Sequence, residues 1–202
     1  MEATVQRARR SLGTHQGSVS PTKLAHFVLV TRDMRRLRDW YLTVLQGRVV
    51  YEDPILSFVT YDDEHHRIAI AALPGTEERE LGLRVGLHHI AFTYGDLGGL
   101  LHTYRRLKEG GIVPYWTINH GPTTSMYYRD PDGNRVELQV DNFADAEEAT
   151  EFMRQHFAEN PIGILFEPEE LIARYEAGES LESLRERPRL PAGKTPLDMM
   201  RD

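Results

Sequence analysis

Glu137 sits between Val136 and Leu138 in the run RVELQVDNF, a carboxylate inside a stretch that otherwise suits a strand packed on a core. Burying an ionised carboxylate is unfavourable unless a cation or strong hydrogen-bond donors meet it. The chain carries nine histidines and no cysteine. Disulfides and thiolate metal sites are therefore excluded, and any metal must be held by imidazole and carboxylate groups, a donor set suited to Fe(II), Mn(II) or Zn(II).

Two of the histidines share a register. Displacing the sequence by 63 residues lays KLAHFVLVTRDMRRLRDWYLTVLQGRVV over GLHHIAFTYGDLGGLLHTYRRLKEGGIV without a gap. His26 falls on His89, Asp33 on Asp96, Leu37 on Leu100, Tyr41 on Tyr104 and Gly47 on Gly110, each second number being the first plus 63. A lone histidine in an apolar stretch is more often an ordinary strand residue than a ligand. Two at equivalent places of an internal repeat carry more weight.

Each copy spells the same elements. A β-branched and aromatic run (Leu24 to Val30; Leu87 to Tyr94) leads to Asp33 or Asp96 at a helix start. Apolar residues then recur at helical spacing, Leu37, Trp40, Tyr41 and Val44 in the first copy and Leu100, Tyr104 and Leu107 in the second. The pattern ends at Gly47 or Gly110, where a left-handed cap is expected. Three strand-like runs follow each helix: GRVVYED, ILSFVTYDD and HRIAIAAL, then GIVPYWTI, TTSMYYRD and NRVELQVDNF. The unit is βαβββ, present twice. In the last hairpin, Asp130 and Asp132 of RDPDGN read as turn chemistry, not as ligands. Pairing Arg129 with Arg135 sets Tyr127 opposite Glu137 on one face and turns Tyr128 away.

Outside the repeat the character changes. Residues 1–22 lack periodicity and are expected to be mobile. Residues 144–202 predict a helical extension, with ADAEEATEFMRQHFAEN as one helix, a turn or short strand and a second helix in NPIGILFEPEELIARYEAGE, and a loose tail in RERPRLPAGKTPLDMMRD. A net charge of −7 gives no reason to expect nucleic acid or an anionic membrane as partner. No apolar run approaches the roughly 20 residues that span a bilayer, and the first residues lack the apolar stretch of a secretory signal, so a cytoplasmic location is expected.

Over about residues 23–143 the chain resembles the vicinal oxygen chelate superfamily of glyoxalases, bleomycin-resistance proteins and dioxygenases. In detail it is similar to the type I extradiol ring-cleaving dioxygenases; the stretches GLHHIAF, DEHHRIAIA and INHGPTTSMYYRDPDGNRVELQVDNF carry the likeness. Longer members of that family have four such units, so the two units here match its single-domain members. The resemblance implies an α+β fold in which two βαβββ modules, about 23–75 and 86–143, curl into a U-shaped mixed half-barrel around a metal. It implies His26, His89 and Glu137 as a two-histidine, one-carboxylate ligand set for Fe(II), with Mn(II) as the alternative. His89 is chosen over His88 because it aligns with His26, and because strand alternation would send the neighbour to the opposite face.

The same resemblance assigns further roles. It makes His66 the acid–base residue near bound oxygen, and His120 and Tyr127 partners of the substrate hydroxylate, although seven residues from His120 to Tyr127 is shorter than the family's usual spacing. His65, Asn119, Phe58 and Trp116 complete the expected substrate-binding set, with Tyr115 and Phe143 as further aromatic pocket residues. Glyoxalase-type members usually add a fourth ligand from the last strand of the other unit, and RIAIAAL offers no carboxylate or imidazole. Three ligands leave room for a chelating catechol-type diol and O2 together, so the implied activity is an Fe(II)-dependent extradiol dioxygenase, expected as a homo-oligomer. The alternatives are another metalloenzyme of the superfamily (lyase, isomerase or epimerase), a small-molecule-binding resistance module, and, with least support, a structural protein acting through the extension.

Overall fold

The structure is a computed structural model and describes residues 19–78, 80, 82 and 85–201. Most of the expected mobile segment, residues 1–18, lies outside the described residues. The first module runs β1 (Phe27–Val30), α1 (Met34–Leu45), β2 (Arg48–Glu52), β3 (Leu56–Thr60) and β4 (Ile68–Ala71). The second repeats it with β5 (His89–Tyr94), α2 (Leu97–Glu109), β6 (Trp116–Asn119), β7 (Thr123–Arg129) and β8 (Arg135–Asp141). The α+β class and both βαβββ modules are as the sequence predicts.

The helix starts are those read from the repeat. Asp33 accepts from the Arg36 backbone N–H at 3.1 Å and Asp96 from that of Gly99 at 2.7 Å, each satisfying an otherwise orphaned donor. The helix ends differ from expectation by one residue. Gln46, not Gly47, takes the left-handed conformation after α1 (φ 51°), and Gly111, not Gly110, takes it after α2 (φ 79°). Gly47 is needed for another reason: a Cβ there would lie 2.9 Å from the carbonyl oxygen of Thr60.

The strands make two separately hydrogen-bonded open sheets, β1-β4-β3-β2 and β5-β8-β7-β6, the second extended by β9 (Ile164–Leu165) from the C-terminal segment. In each sheet the first strand pairs parallel with the fourth and the others pair antiparallel. One face of each sheet is covered by its own helix. Leu37, Tyr41 and Val44 of α1 pack with Val59, Ile68 and Ile70, while Leu100, Tyr104 and Leu107 of α2 pack with Tyr128, Val136 and Leu138.

These two covered layers merge into one core. Phe27 and Phe92 bring their rings to 6.1 Å, and Tyr61 meets Phe92 at 5.7 Å. Polar contacts bind the same seam: the Tyr41 hydroxyl donates to Asp130 at 3.1 Å, and Arg106 donates to the carbonyls of Thr43 and Val44 at 2.7 and 3.1 Å.

The C-terminal segment adds α3 (Ala146–His156), β9, α4 (Pro168–Glu176), α5 (Leu181–Arg185) and a short 3-10 helix (Pro196–Met199). The tail is not loose. Trp116 donates its indole N–H to the Met199 carbonyl at 2.8 Å, and Met199 and Leu190 pack on Trp116 and Tyr127, so apolar burial holds a segment whose sequence shows little periodicity. Gly163 (φ 124°) lets the chain approach β6, because a Cβ there would lie 2.4 Å from the Asn119 carbonyl oxygen. Among the described residues no helix is long and apolar enough to cross a membrane.

Candidate functional site

Strand register builds one half of the site. Tyr127 pairs with Glu137, Glu137 with Ala91, and Trp116 with Tyr127, so these side chains share the face of the second sheet that α2 does not cover. His89 lies on that face two residues before Ala91, and its Nε2 is 3.0 Å from Glu137 Oε2. Glu137 is only 4% exposed. Burial opposes its ionisation, yet hydrogen bonds from His89 and Ser125 and the nearby imidazoles of His89 and His120 outweigh that cost, and its carboxyl lies below the usual range.

A second pair extends from this one. The Tyr127 hydroxyl is 3.0 Å from His120 Nε2, while His120 Nδ1 contacts the Ile162 carbonyl. A carbonyl can only accept, so Nδ1 carries the proton and the neutral ring offers Nε2 as acceptor. Burial lowers the His120 pKa, which favours that neutral form. Burial and the charge of Glu137 push the Tyr127 phenol well above its ordinary range, so it keeps its proton. Trp116 stacks on Tyr127 with ring centroids 4.5 Å apart.

The first module carries the other half. His66 stacks on Phe58 at 4.6 Å, lies 4.3 Å from the His26 ring, and has its Nδ1 2.6 Å from that of His65. Burial, then the neighbouring His26 and His65, lower the His66 pKa. His26 is exposed on this face, just ahead of β1.

The ten expected residues thus divide into His26, Phe58, His65 and His66 on one sheet and His89, Trp116, Asn119, His120, Tyr127 and Glu137 on the other. The three expected ligands do not converge within the chain. Among the described residues no group of three or more His, Cys, Asp or Glu side chains gathers to hold a metal ion. The donor set therefore fits a metal in part: His89 and Glu137 are together, and His26 is with His66.

Other expectations change. Asn119 pairs with Thr124 and so faces away from Glu137; its side chain donates to the carbonyls of Arg185 and Glu186 and accepts from Gly121 N–H, which anchors the extension. Phe143 packs on Phe152 at 5.4 Å beside a separate cavity of about 920 Å³, away from the site. His88 is not turned to the far side of a strand, because β5 begins at His89; its Nδ1 lies 2.8 Å from that of His89. Two contributors escaped the sequence reading. Ser125 was legible, since the Arg129–Arg135 pairing puts it diagonally beside Glu137 on the same face. The Ile162 carbonyl was not, because only the return of the chain as β9 brings it to His120.

The two βαβββ modules, with an imidazole and a buried carboxylate on one uncovered sheet face, define a class. The chain belongs to the Glyoxalase/Bleomycin resistance protein/Dioxygenase superfamily, whose family model matches residues 23–138. It is similar to two proteins of Rhodococcus globerulus. One, Biphenyl-2,3-diol 1,2-dioxygenase 2, is 49% identical over 147 residues, covering 72% of this chain and 77% of the relative. The other, Biphenyl-2,3-diol 1,2-dioxygenase 3, is 47% identical over 163 residues, covering 80% and 85%. The solved glyoxylase/bleomycin resistance protein/dioxygenase domain from Frankia sp. EAN1pec superposes with a TM-score of 0.51 over 60% of this chain and 99% of that one; at 21% identity this is a likeness of fold alone.

Proposed function

We propose that this chain is an extradiol dioxygenase that opens the ring of a catechol-type aromatic diol with O2, using Fe(II), or Mn(II) with the same ligand preferences, held by His26, His89 and Glu137. The observation that carries the reading is the buried Glu137 paired with the half-buried His89 beside Tyr127 and His120, in a chain 49% identical to a biphenyl-2,3-diol 1,2-dioxygenase. A bound Fe(II) would supply a centre at which the diol oxygens and O2 can meet.

The chain's own residues then have distinct tasks. Glu137 stays ionised because His89 and Ser125 hold it so. Tyr127 presents a protonated hydroxyl, and His120 Nε2 stands 3.0 Å away as a neutral acceptor for a proton released near that hydroxyl. His66, whose pKa is lowered, is also neutral near pH 7 and can take or return a proton. Trp116, with the tail bonded to its indole, supplies an apolar wall that limits water.

The test begins with anaerobic loading of Fe(II), addition of catechol, methylcatechol or 2,3-dihydroxybiphenyl, and then admission of air. A yellow ring-opened product, stoichiometric O2 uptake and their absence in Glu137→Gln are expected. Bound iron without O2 uptake would redirect the reading to a lyase, isomerase or epimerase, and failure to bind iron would favour a small-molecule-binding module.

A further inference from the structure

The C-terminal segment lines, with Gly121 and Asn142, a cavity of about 920 Å³ that takes no part in the candidate site. Its volume lies within the roughly 300–1,000 Å³ usual for small-molecule pockets. Part of the lining is aromatic. The rings of Phe143 and Phe152 lie 5.4 Å apart and those of Phe152 and His156 4.5 Å apart, so three rings make a strip at the start of the extension. Phe152 lies flush on Gly121, where a Cβ would come within 2.0 Å of the ring.

The amides in the lining are spent inside the protein. Asn142 donates to the Gly121 carbonyl at 2.8 Å and accepts from the Thr124 hydroxyl at 2.9 Å, while Asn160 accepts from the N–H groups of Ile162 and Gly163 and donates to the Gly163 carbonyl. What the cavity offers an occupant is therefore aromatic surface and charge. The carboxylates of the lining, Glu159, Glu182 and Glu186, are exposed, whereas Arg185 and Arg187 are half-buried. Arg185 Nε is buried without a hydrogen-bond partner. Arg187 bonds neutral carbonyls and lies over the Phe152 ring at 4.9 Å, and its pKa is lowered because burial outweighs the charge of nearby Glu159. Guanidinium groups taken from water without a paired charge carry a cost that an anion relieves, and a carboxylate matches their planar fork.

The arginine segment is held in place before any ligand arrives, because Asn119 donates to the carbonyls of Arg185 and Glu186. Two groups of the lining also lead to His120. Arg187 donates to the His120 carbonyl at 3.1 Å, and Phe152 presses on Gly121, the next residue. An occupant that draws on either group acts on the loop that carries His120. We propose that this cavity binds an aromatic monocarboxylate, its carboxylate taken by Arg185 and Arg187 and its ring laid on the strip of Phe143, Phe152 and His156, and that binding there is felt at His120. The site is separate from the ring-cleavage centre and does not rest on that reading.

Calorimetric titration of benzoate into the full-length, metal-free chain tests the site without using any activity. Saturable binding of benzoate is expected, weakened about 10-fold or more in Arg185→Gln and in Arg187→Gln, as for loss of a hydrogen bond to a charged group. Benzamide, which lacks the charge, and acetate, which lacks the ring, should likewise bind about 10-fold or more weakly than benzoate. Arg187 also supports the His120 loop, so Arg185→Gln is the cleaner variant, and circular dichroism of both separates lost binding from lost folding. Benzoate should shift amide 1H–15N signals around residues 121, 143, 152 and 187, with the His120 imidazole signals moving over the same titration.

No saturable binding, equal benzoate affinity in wild type and a folded Arg185→Gln, or shifts centred on His89 and Glu137 instead would overturn the site. Benzamide binding as tightly as benzoate would overturn the assignment of a carboxylate. Benzoate bound in the cavity with the His120 signals unmoved would overturn the link to His120 and leave the site standing. No metal and no turnover enter the measurement, so its failure and the failure of the ring-cleavage reading are told apart.

Discussion

At the scale of single residues, the second sheet links its polar groups into a chain of contacts. Glu137 meets His89 and Ser125, Tyr127 meets His120, and His120 meets the Ile162 carbonyl. Such a chain fixes the tautomer of His120 and keeps the Tyr127 proton in place. Tyr127→Phe removes the hydroxyl and leaves the ring stacked on Trp116. The expected outcome is a fall in kcat of about 100-fold or more, with unchanged iron content and a stability loss of no more than about 1.5 kcal/mol. Steady-state oxygen uptake and urea unfolding measure the two. An unchanged kcat would make Tyr127 a packing residue.

At the scale of elements, the extension packs on the residues of the candidate site. β9 carries the Ile162 region to His120, Asn119 ties β6 to the end of α5, and Arg187 donates to the carbonyls of His120 and Asn160 at 3.1 and 2.8 Å. The 3-10 helix then closes over Trp116. Deleting residues 190–202 removes Leu190 and Met199 from the cluster around Trp116 and Tyr127. The expected outcome is a red shift in tryptophan emission and a loss of roughly 2 kcal/mol or more in urea unfolding, as for truncation of a buried methionine. An unchanged spectrum would mean that the tail does not cover the indole.

At the scale of the whole molecule, the two modules are locked by a hydrogen bond that burial makes consequential. Burial raises the pKa of Asp130 although Asn134, Tyr41 and Asp132 donate to it. With the folded pKa above the unfolded one, this group favours the fold most below the unfolded pKa, and that contribution is lost as pH rises through the folded value. Removing a donor raises the folded pKa further, so the loss grows on the alkaline side. Tyr41→Phe is expected to destabilise the protein by about 1–3 kcal/mol at pH 7, and by less at pH 3, where the carboxyl is protonated in both states. Equal losses at the two pH values in urea titrations would show that the hydroxyl does not stabilise the carboxylate.

Much of this protein is legible in its sequence because the signals are local. The 63-residue repeat gives the two modules, Asp33 and Asp96 give the helix starts, and the Arg129–Arg135 pairing puts Tyr127 opposite Glu137. Each depends on a period of two or 3.6 residues, or on a turn, and so on neighbours in the chain. Tertiary structure alone decided that the tail docks on Trp116, that Asn119 holds the extension, and that His26 lies with His66 apart from His89 and Glu137. Those outcomes depend on how separated surfaces pack. Apolar burial along the Phe27–Phe92 seam makes that choice.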